Sequence, residues 1–256
     1  MSGHATFHDL SGASVFITGG GSGIGAALTD GFMAQGANVA FVQRSNAGAF
    51  VDEMEAKHGS RPLFMTCDVV DVEALQDCMA QAATAHGTVT VLVNNAAVDQ
   101  RHEVDGYTVA EWDMAQAINL RPHFFTAQAA HPGMKTVGGG SIINFSSISY
   151  MLGMGGMDSY VTAKAGITGL TRGLAREFGP DGIRVNAVMP GWVLTQRQKD
   201  LWATPESLAA MLDKQCLKEH LVEADIVDAV LFLASNTSRM MTGQALVVDG
   251  GAVMTG

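Results

Sequence analysis

Tyr160 and Lys164, four positions apart, form the pair in this sequence that is best suited to acid–base chemistry. Residues at this spacing share one face of a helix, so the ammonium group of Lys164 can lie beside the phenol of Tyr160. A nearby positive charge stabilises a phenolate, and we expect Lys164 to lower the pKa of Tyr160 from ~10 towards neutral pH. Such a tyrosine can exchange a proton with an alcohol or a carbonyl substrate.

Two further polar residues fit the same chemistry. Ser147 follows a strand-like segment, and ligands of open α/β sheets bind at the carboxyl ends of strands, so its hydroxyl could hold the substrate oxygen. Asn119 lies in a helical stretch, where asparagine is disfavoured, which favours a local hydrogen-bonding role. Taken singly, Ser147 is better explained as a turn residue and the Tyr160–Lys164 pair as a chance helical spacing. Only the combination predicts a catalytic site.

A glycine-rich loop separates the first predicted strand from the first predicted helix. Its glycines allow a tight turn and a close approach to a pyrophosphate, and the helix N-terminus offers unpaired N–H groups. An ordinary strand-to-helix turn would have a similar composition, but the context favours dinucleotide binding. The loop residues predicted to bind the dinucleotide are Gly19, Ser22, Gly23, Ile24 and Gly25.

The end of the second predicted strand bears on which dinucleotide binds. An acidic residue there would bind the ribose 2′-hydroxyl of NAD, but the chain has Gln43 and Arg44. The Arg44 guanidinium suits a 2′-phosphate, so we predict NADP as the favoured cofactor and NAD as the alternative. Arg44 could also be a solvated surface residue. Asp68 is expected to accept a bond from the adenine amino group, unless it is only a turn residue or a helix cap.

Strand-like and helix-like segments alternate along all 256 residues. This alternation predicts an α/β fold: a single Rossmann-type doubly wound parallel sheet of about seven strands, with helices on both faces. Without linkers or repeats, residues 1–256 are expected to form one domain. The predicted strands are 14–18, 38–43, 62–66, 89–93, 140–145, 183–188 and 245–248.

Two regions need separate comment. The helical region of about 108–131 contains Pro122, which requires a kink or a break. The stretch of about 191–219 reads as irregular and is long for a connection, so we expect a substrate loop or lid there.

Composition excludes several function classes. The net charge is −10 and no basic run stands out, so nucleic-acid binding is not expected. No apolar run approaches the ~18 residues of a membrane span, and the N-terminus does not read as a signal peptide. The three cysteines show no CxxC pattern, which predicts no disulfide framework and a cytoplasmic location. The eight histidines form no helical ligand pair, so no metal is predicted.

Taken in order along the chain, these motifs resemble the short-chain dehydrogenase/reductase family over essentially the whole length. One departure is Ala97, where that family usually has glycine. The matching positions are the loop 18–25, Asp68, Asn94-Asn95-Ala96, Asn119, Ser147, Tyr160, Lys164, Pro190-Gly191, Thr195, Thr242-Gly243 and Asp249-Gly250-Gly251.

The resemblance implies a role for each residue. Tyr160 would be the general acid/base, and Lys164 would lower its pKa and bind the nicotinamide ribose. Ser147 would orient the substrate oxygen, and Asn119 would hold a water that links Lys164 to solvent. The resemblance also implies a homotetramer. The implied cofactor-binding residues beyond those already named are Val69, Asn95, Ala96, Tyr160, Lys164, Pro190, Gly191, Val193 and Thr195.

Several segments, among them 99–102, 118–121 and 215–218, further resemble bacterial D-xylose 1-dehydrogenases and related aldose 1-dehydrogenases of the same family. The reaction implied is oxidation of the anomeric hydroxyl of an aldose to a lactone. The candidate substrate residues are Asp99, Ser149, Met154 and Trp192.

Two alternatives remain open. Apolar residues near the expected pocket, such as Met154 and Met157, would also suit an NADP-dependent ketone or 3-oxoacyl reductase. A non-catalytic nucleotide-sensing regulator could share the fold, because one fold hosts many functions. The complete set of Ser147, Tyr160, Lys164 and Asn119 argues against the regulator.

Overall fold

Seven short segments rich in β-branched and apolar residues form one parallel sheet. The computed structural model describes residues 4–254. The sheet order is β3-β2-β1-β4-β5-β6-β7, and every neighbouring pair is parallel, which confirms the predicted doubly wound architecture. The strands are β1 (Ser14–Thr18), β2 (Asn38–Gln43), β3 (Leu63–Thr66), β4 (Val91–Asn94), β5 (Gly140–Phe145), β6 (Ile183–Pro190) and β7 (Ala245–Val248).

Helices cover both faces of this sheet. Successive strand residues point to opposite faces, so Phe16 and Ile17 of β1 belong to two separate apolar clusters. The cluster around Ile17 packs against α1, α2 and α9, and the cluster around Phe16 packs against α3, α5 and α6. The helices are α1 (Gly23–Ala34), α2 (Gly48–His58), α3 (Val72–His86), α4 (Val109–Asn119), α5 (Arg121–Thr136), α6 (Asp158–Phe178), α7 (Gln196–Leu201), α8 (Pro205–Lys214) and α9 (Ala224–Ala234).

The break predicted near Pro122 occurs at Leu120. Its backbone is non-helical (φ −125°, ψ −52°), so α4 ends at Asn119 and α5 begins at Arg121. Pro122 then occupies the first turn of α5, where its missing N–H costs no helical bond. The break therefore leaves Asn119 at a helix end.

The prediction that 191–219 is irregular was wrong, because this stretch contains α7 and α8. Each helix begins at a threonine cap: Thr195 Oγ1 accepts from Gln198 N, and Thr204 Oγ1 accepts from Ser207 N. Pro205 stands at the first helical position of α8, where proline is favoured. α7 has only six residues, too few to show an apolar period, whereas α8 has a threonine cap followed by proline that the sequence analysis overlooked.

A buried polar network joins β4 and β5 to the helices behind the sheet. Asn94 Nδ2 donates to Asn144 Oδ1 (3.0 Å), and Thr126 Oγ1 donates to Asn94 Oδ1 (2.8 Å). Asn144 Nδ2 in turn donates to Thr171 Oγ1 (3.0 Å) on α6. These bonds fix α5 and α6 against the strand ends that carry the candidate site.

The substitution Thr171→Val tests this network. Valine keeps the shape of the side chain but leaves Asn144 Nδ2 buried without an acceptor, so we expect a loss of about 1–3 kcal/mol in the free energy of unfolding. Denaturant titration measures it. Thr84→Val is the matched control, because the exposed Thr84 hydroxyl bonds only the Ala80 carbonyl of its own helix. Equal stability of the two variants would contradict a structural role for the network.

Candidate active site

The predicted site residues surround one cavity of about 800 Å³ at the carboxyl ends of the strands. The sheet order reverses between β1 and β4, and ligands of open α/β sheets bind at such a reversal. The predicted residues in the cavity wall are Gly19, Ser22, Gly23, Ile24, Gly25, Gln43, Arg44, Asp68, Val69, Asn95, Ala96, Asp99, Ser147, Ser149, Met154, Tyr160, Lys164, Pro190, Gly191, Trp192, Val193 and Thr195. Asn119 is the predicted residue that does not reach this wall.

The glycine loop between β1 and α1 has the form of a pyrophosphate cradle. Gly19 has a left-handed backbone (φ +71°), and a side chain at Gly25 would overlap the Gly19 carbonyl oxygen. Asn95 Nδ2 braces the loop by donating to the carbonyl oxygens of Thr18 and Gly19, both at 3.1 Å. Ser22, the N-cap of α1, makes no side-chain cap bond, so the first-turn N–H groups face the cavity without that competitor. These residues fit a dinucleotide.

Polar side chains at the carboxyl ends of β2 and β3 line the cavity beside the glycine loop. The exposed Arg44 lies with Nη1 3.8 Å from Asp68 Oδ2. Gln43 Nε2 donates to the Ser45 carbonyl oxygen (3.1 Å), and Asp68 Oδ1 accepts from Val70 N (3.2 Å). Asp68 therefore caps a turn, as the alternative interpretation allowed, while its other oxygen faces Arg44. The Arg44 guanidinium remains accessible to an anion.

Helix α6 presents Tyr160 and Lys164 to the cavity on one face. Lys164 Nζ lies 5.3 Å from the Tyr160 ring centroid and donates to the Phe145 carbonyl oxygen (2.7 Å). Ser146 Oγ donates to the Lys164 carbonyl oxygen (2.7 Å), which ties the helix to the end of β5. Ser147 Oγ accepts from Ser149 N (3.1 Å), so its hydroxyl is held close to the phenol. The structure thus brings Ser147, Tyr160 and Lys164 together.

The electrostatics of this pair differ from the prediction. Burial raises the pKa of Tyr160, the Asp99 carboxylate raises it further, and only a hydrogen bond from Ser147 lowers it. Burial lowers the pKa of Lys164 to about 7, against the opposing effect of Asp99. The expectation that Lys164 brings the pKa of Tyr160 towards neutral pH is therefore wrong, because burial and the Asp99 carboxylate hold that pKa above its ordinary value. Desolvation dominates, and above neutral pH Lys164 is itself mostly uncharged.

His123 is a nearby residue that the sequence analysis missed. Its ring is 1% exposed, and within residues 4–254 neither ring nitrogen has a hydrogen-bond partner. Burial and, to a smaller extent, the charge of Lys164 lower the pKa of His123 to about 3. His123 is thus neutral at physiological pH and adds no charge near Lys164.

Asn119 lies at the end of α4, with 2% of its surface exposed. Its Oδ1 accepts from Val98 N (2.8 Å) and its Nδ2 donates to the Ala115 carbonyl oxygen (3.0 Å). It borders a second cavity of about 240 Å³, together with Tyr107 and Ser159. Its side chain is thus engaged with backbone groups on both sides, and its part in a proton path stays a prediction.

The substrate end of the main cavity combines apolar side chains with polar groups. Asp99 Oδ2 accepts from Gln198 Nε2 (2.7 Å), and Trp192 Nε1 donates to Gln198 Oε1 (2.8 Å). Within residues 4–254, the buried Ser149 Oγ and Trp202 Nε1 have no hydrogen-bond partner. Met154, Met157 and Leu152 supply the apolar part of the wall.

Sequence reasoning missed Gln198 and Trp202. The one signal for them was their place in the stretch that we expected to contact substrate.

Residues 4–254 contain no group of three or more histidine, cysteine, aspartate or glutamate side chains arranged to hold a metal ion. None of the helices in that range is both long and apolar enough to cross a membrane.

Comparisons with known proteins agree with this geometry. A family model described as enoyl-(acyl carrier protein) reductase matches residues 19–253. A Rhizobium meliloti (strain 1021) protein named probable galactose dehydrogenase is 49% identical, over 96% of each chain. A D-xylose 1-dehydrogenase of Caulobacter vibrioides (strain NA1000 / CB15N) is 46% identical, over 96% of this chain and 98% of its own.

Solved structures give the same result. The crystal structure of a Sinorhizobium meliloti 1021 protein described as a short-chain alcohol dehydrogenase superimposes with a TM-score of 0.90 at 32% identity, covering 94% of this chain and 96% of its own. The chain therefore belongs to the short-chain dehydrogenase/reductase family of nicotinamide-dependent oxidoreductases.

Proposed function

We propose that this enzyme is an aldose 1-dehydrogenase, which oxidises the anomeric hydroxyl of a pentose or hexose to a lactone. The observation that carries the proposal is the set of hydrogen-bonding groups at the substrate end. Asp99 supplies an acceptor, and a hydrogen bond from Gln198 Nε2 holds its carboxylate (2.7 Å). Asp99, Gln198 and Trp192 all line the cavity, so a ligand with several hydroxyls finds polar groups there that a simple ketone would not use. The sugar dehydrogenases among the relatives support the same substrate class.

In the proposed reaction, Ser147 Oγ holds the substrate oxygen and Tyr160 Oη accepts the hydroxyl proton. Oxidation breaks the C–H bond at the anomeric carbon, and the bound nicotinamide supplies the hydride acceptor. Lys164, held by the Phe145 carbonyl, supports the phenolate whenever it carries a proton. General acid–base assistance of this kind contributes about 10²–10⁴-fold in rate, and positioning supplies much of the remainder.

The other proposed contacts follow the cavity wall. The glycine loop and the N-terminus of α1 would hold the pyrophosphate, and Asp68 and Val69 would flank the adenine. Pro190, Gly191, Val193 and Thr195 would hold the nicotinamide carboxamide. Asn119 would bind a water on the proton path. Asp99, Ser149, Met154 and Trp192 would contact the sugar.

The apolar residues Leu152, Met154 and Met157 are the feature that favours the alternative, a ketone or 3-oxoacyl reductase. The sugar dehydrogenases at 46–49% identity do not favour that alternative. The regulator hypothesis is also not favoured, because the chain belongs to an enzyme family and has the acid–base residues in place.

NADP is the proposed preferred cofactor. Position 43 is glutamine rather than an acidic residue, and the exposed guanidinium of Arg44 lies at the adenosine end of the cavity. A 2′-phosphate could bind this guanidinium through charge-assisted hydrogen bonds.

The remaining proposals concern assembly and location. We propose a single domain, residues 1–256, that assembles as a cytoplasmic homotetramer without nucleic-acid partners. The free state of Cys67, Cys78 and Cys216 supports a reducing compartment. Exposed apolar side chains on α4 and α5, including Val109, Met114 and Phe124, support burial against other copies.

A substrate panel tests the proposed reaction. Purified enzyme is incubated with each oxidised cofactor and with galactose, xylose, arabinose or simple secondary alcohols, and reduced nicotinamide is followed by absorbance. We expect the highest kcat/KM with an aldose, and a fall in kcat of about 10²–10⁴-fold in Tyr160→Phe. A simple alcohol as the best substrate, or a Tyr160→Phe variant with wild-type turnover, would contradict the proposal.

Arg44→Ala tests the cofactor preference. Loss of a charge-assisted contact to the 2′-phosphate should weaken NADP binding about 10-fold to 100-fold and leave NAD binding nearly unchanged. Binding is measured with each cofactor by protein-fluorescence titration. Arg61→Ala is the control, because Arg61 pairs with Asp52 and Glu55 on the surface. An unchanged ratio of the two affinities would show that Arg44 does not select the cofactor.

Asp99→Asn tests the electrostatics of the acid–base pair. Asp99 raises the pKa of both Tyr160 and Lys164, so removal of its charge lowers both. Oxidation requires the deprotonated phenol, so the rise of kcat with pH at saturating sugar should occur at lower pH than in the wild type. Asp99→Glu keeps the charge and is the control. A shift of the profile to higher pH would show that Asp99 does not raise the pKa of Tyr160.

A further inference from the structure

Gln198 joins two substrate-end residues that come from distant parts of the chain. Its Nε2 donates to Asp99 Oδ2 (2.7 Å) on the segment after β4, and its Oε1 accepts from Trp192 Nε1 (2.8 Å) on the segment after β6. Its backbone N–H also donates to Thr195 Oγ1 (3.3 Å), which places Gln198 in the first turn of α7. A single side chain therefore spans the substrate end of the cavity.

The chemistry of these partners fixes the orientation of the carboxamide. An indole N–H only donates, and a carboxylate only accepts. The carbonyl of Gln198 must therefore face Trp192, and its NH₂ group must face Asp99. Glutamate would place a second carboxylate against Asp99, and methionine would leave both partners without a bond. Among side chains of this length, only glutamine satisfies both neighbours.

The other oxygen of Asp99, Oδ1, forms an ion pair with Arg197. Arg197 Nε is 3.6 Å from Asp99 Oδ1, beyond direct hydrogen-bond distance. Asp99 lines the same cavity as Tyr160 and Lys164. An acceptor so placed and held suits a hydroxyl on the substrate beside the reacting carbon.

We propose that Gln198 is a positioning residue that gives the enzyme its preference for neutral polyhydroxylated substrates, by holding Asp99 and Trp192 in place to contact a substrate hydroxyl. This inference rests on the proposed aldose oxidation. The Asp99 charge disfavours sugar acids at the same position, so the substrate class is neutral aldoses. A substrate with only one hydroxyl has no second hydroxyl for Asp99 and Trp192 to contact.

A second contact allows the role of Gln198 to be tested separately from the folding of the 191–219 stretch. Arg101 stacks over the Trp202 ring, with Cζ 4.1 Å from the ring centroid, and joins the segment after β4 to the end of α7 without Gln198. The 191–219 stretch should therefore keep its place when only the Gln198 carboxamide is changed.

Steady-state kinetics of Gln198→Met test the proposal, with the aldose that the wild type uses best and with cyclohexanol as a substrate with one hydroxyl. We expect KM for the aldose to rise about 10-fold to 100-fold, because Asp99 and Trp192 lose their partner. The change in kcat should stay below about 3-fold. KM for cyclohexanol and the Kd of the oxidised cofactor should not change. Asp200→Asn, an exposed substitution in the same helix, is the control.

Gln198→Glu supplies a readout that a purely structural role would not move. Glutamate keeps the acceptor for Trp192 but places a second carboxylate against Asp99, so we expect its aldose KM defect to be at least as large as that of Gln198→Met. The double variant Gln198→Glu with Asp99→Asn restores the donor–acceptor order, because the glutamate accepts from both Trp192 and Asn at position 99. Its aldose KM should return to within about 3-fold of that of Asp99→Asn alone.

The outcomes separate a failure of the role proposed for Gln198 from a failure of the proposed function. An active wild type with an unchanged aldose KM in Gln198→Met, or an equal KM rise for cyclohexanol, would overturn the role of Gln198 alone. Weaker cofactor binding by the same factor as the aldose defect would do the same, since it would show a general disturbance. A wild type that oxidises no neutral aldose would overturn the proposed function, and this inference with it.

Discussion

The hydrogen bond from Lys164 Nζ to the Phe145 carbonyl oxygen is the interaction on which the site depends. Lys164 is only 1% exposed, so the cost of burying its charge must be offset by fixed polar partners. The carbonyl that receives it ends β5, and Ser146 returns a bond to the Lys164 backbone. This pair of bonds sets the position of α6 and hence of the Tyr160 phenol. The buried hydrogen-bond network of Asn94, Asn144 and Thr171 also holds α6 against the sheet.

Desolvation gives the site its chemical bias. It favours a protonated phenol at Tyr160, and it lowers the pKa of Lys164 to about 7. A protonated Tyr160 can donate to a carbonyl but cannot accept the proton of an alcohol. Oxidation therefore requires an added positive charge near the phenol, and an oxidised nicotinamide carries one. The Asp99 carboxylate opposes this effect, because it raises the pKa of Tyr160. We expect recognition of the sugar to compensate for this cost.

Sequence reasoning recovered the parts of the structure that have short-range signals. The strands at Ser14–Thr18 and Gly140–Phe145 were predicted residue for residue, because their apolar patterns and flanking turns agree. It missed α7, which is too short to show a period, and α8, whose threonine cap and following proline were not recognised. It also missed Gln198 and His123, since contacts between distant segments leave no local pattern. The pKa of Tyr160 was mispredicted because spacing indicates a neighbouring charge but not the depth of burial.

The protonation state of the Tyr160 phenol decides whether the site can accept a proton from an alcohol, and a spectrophotometric tyrosine titration measures that state. The difference between wild type and Tyr160→Phe isolates this one phenol from Tyr107 and Tyr150. Without added cofactor, we expect no ionisation of Tyr160 below about pH 10, the ordinary value for tyrosine, and an ionisation at lower pH once oxidised cofactor is bound. Ionisation of Tyr160 near neutral pH without cofactor would show that burial does not control this phenol.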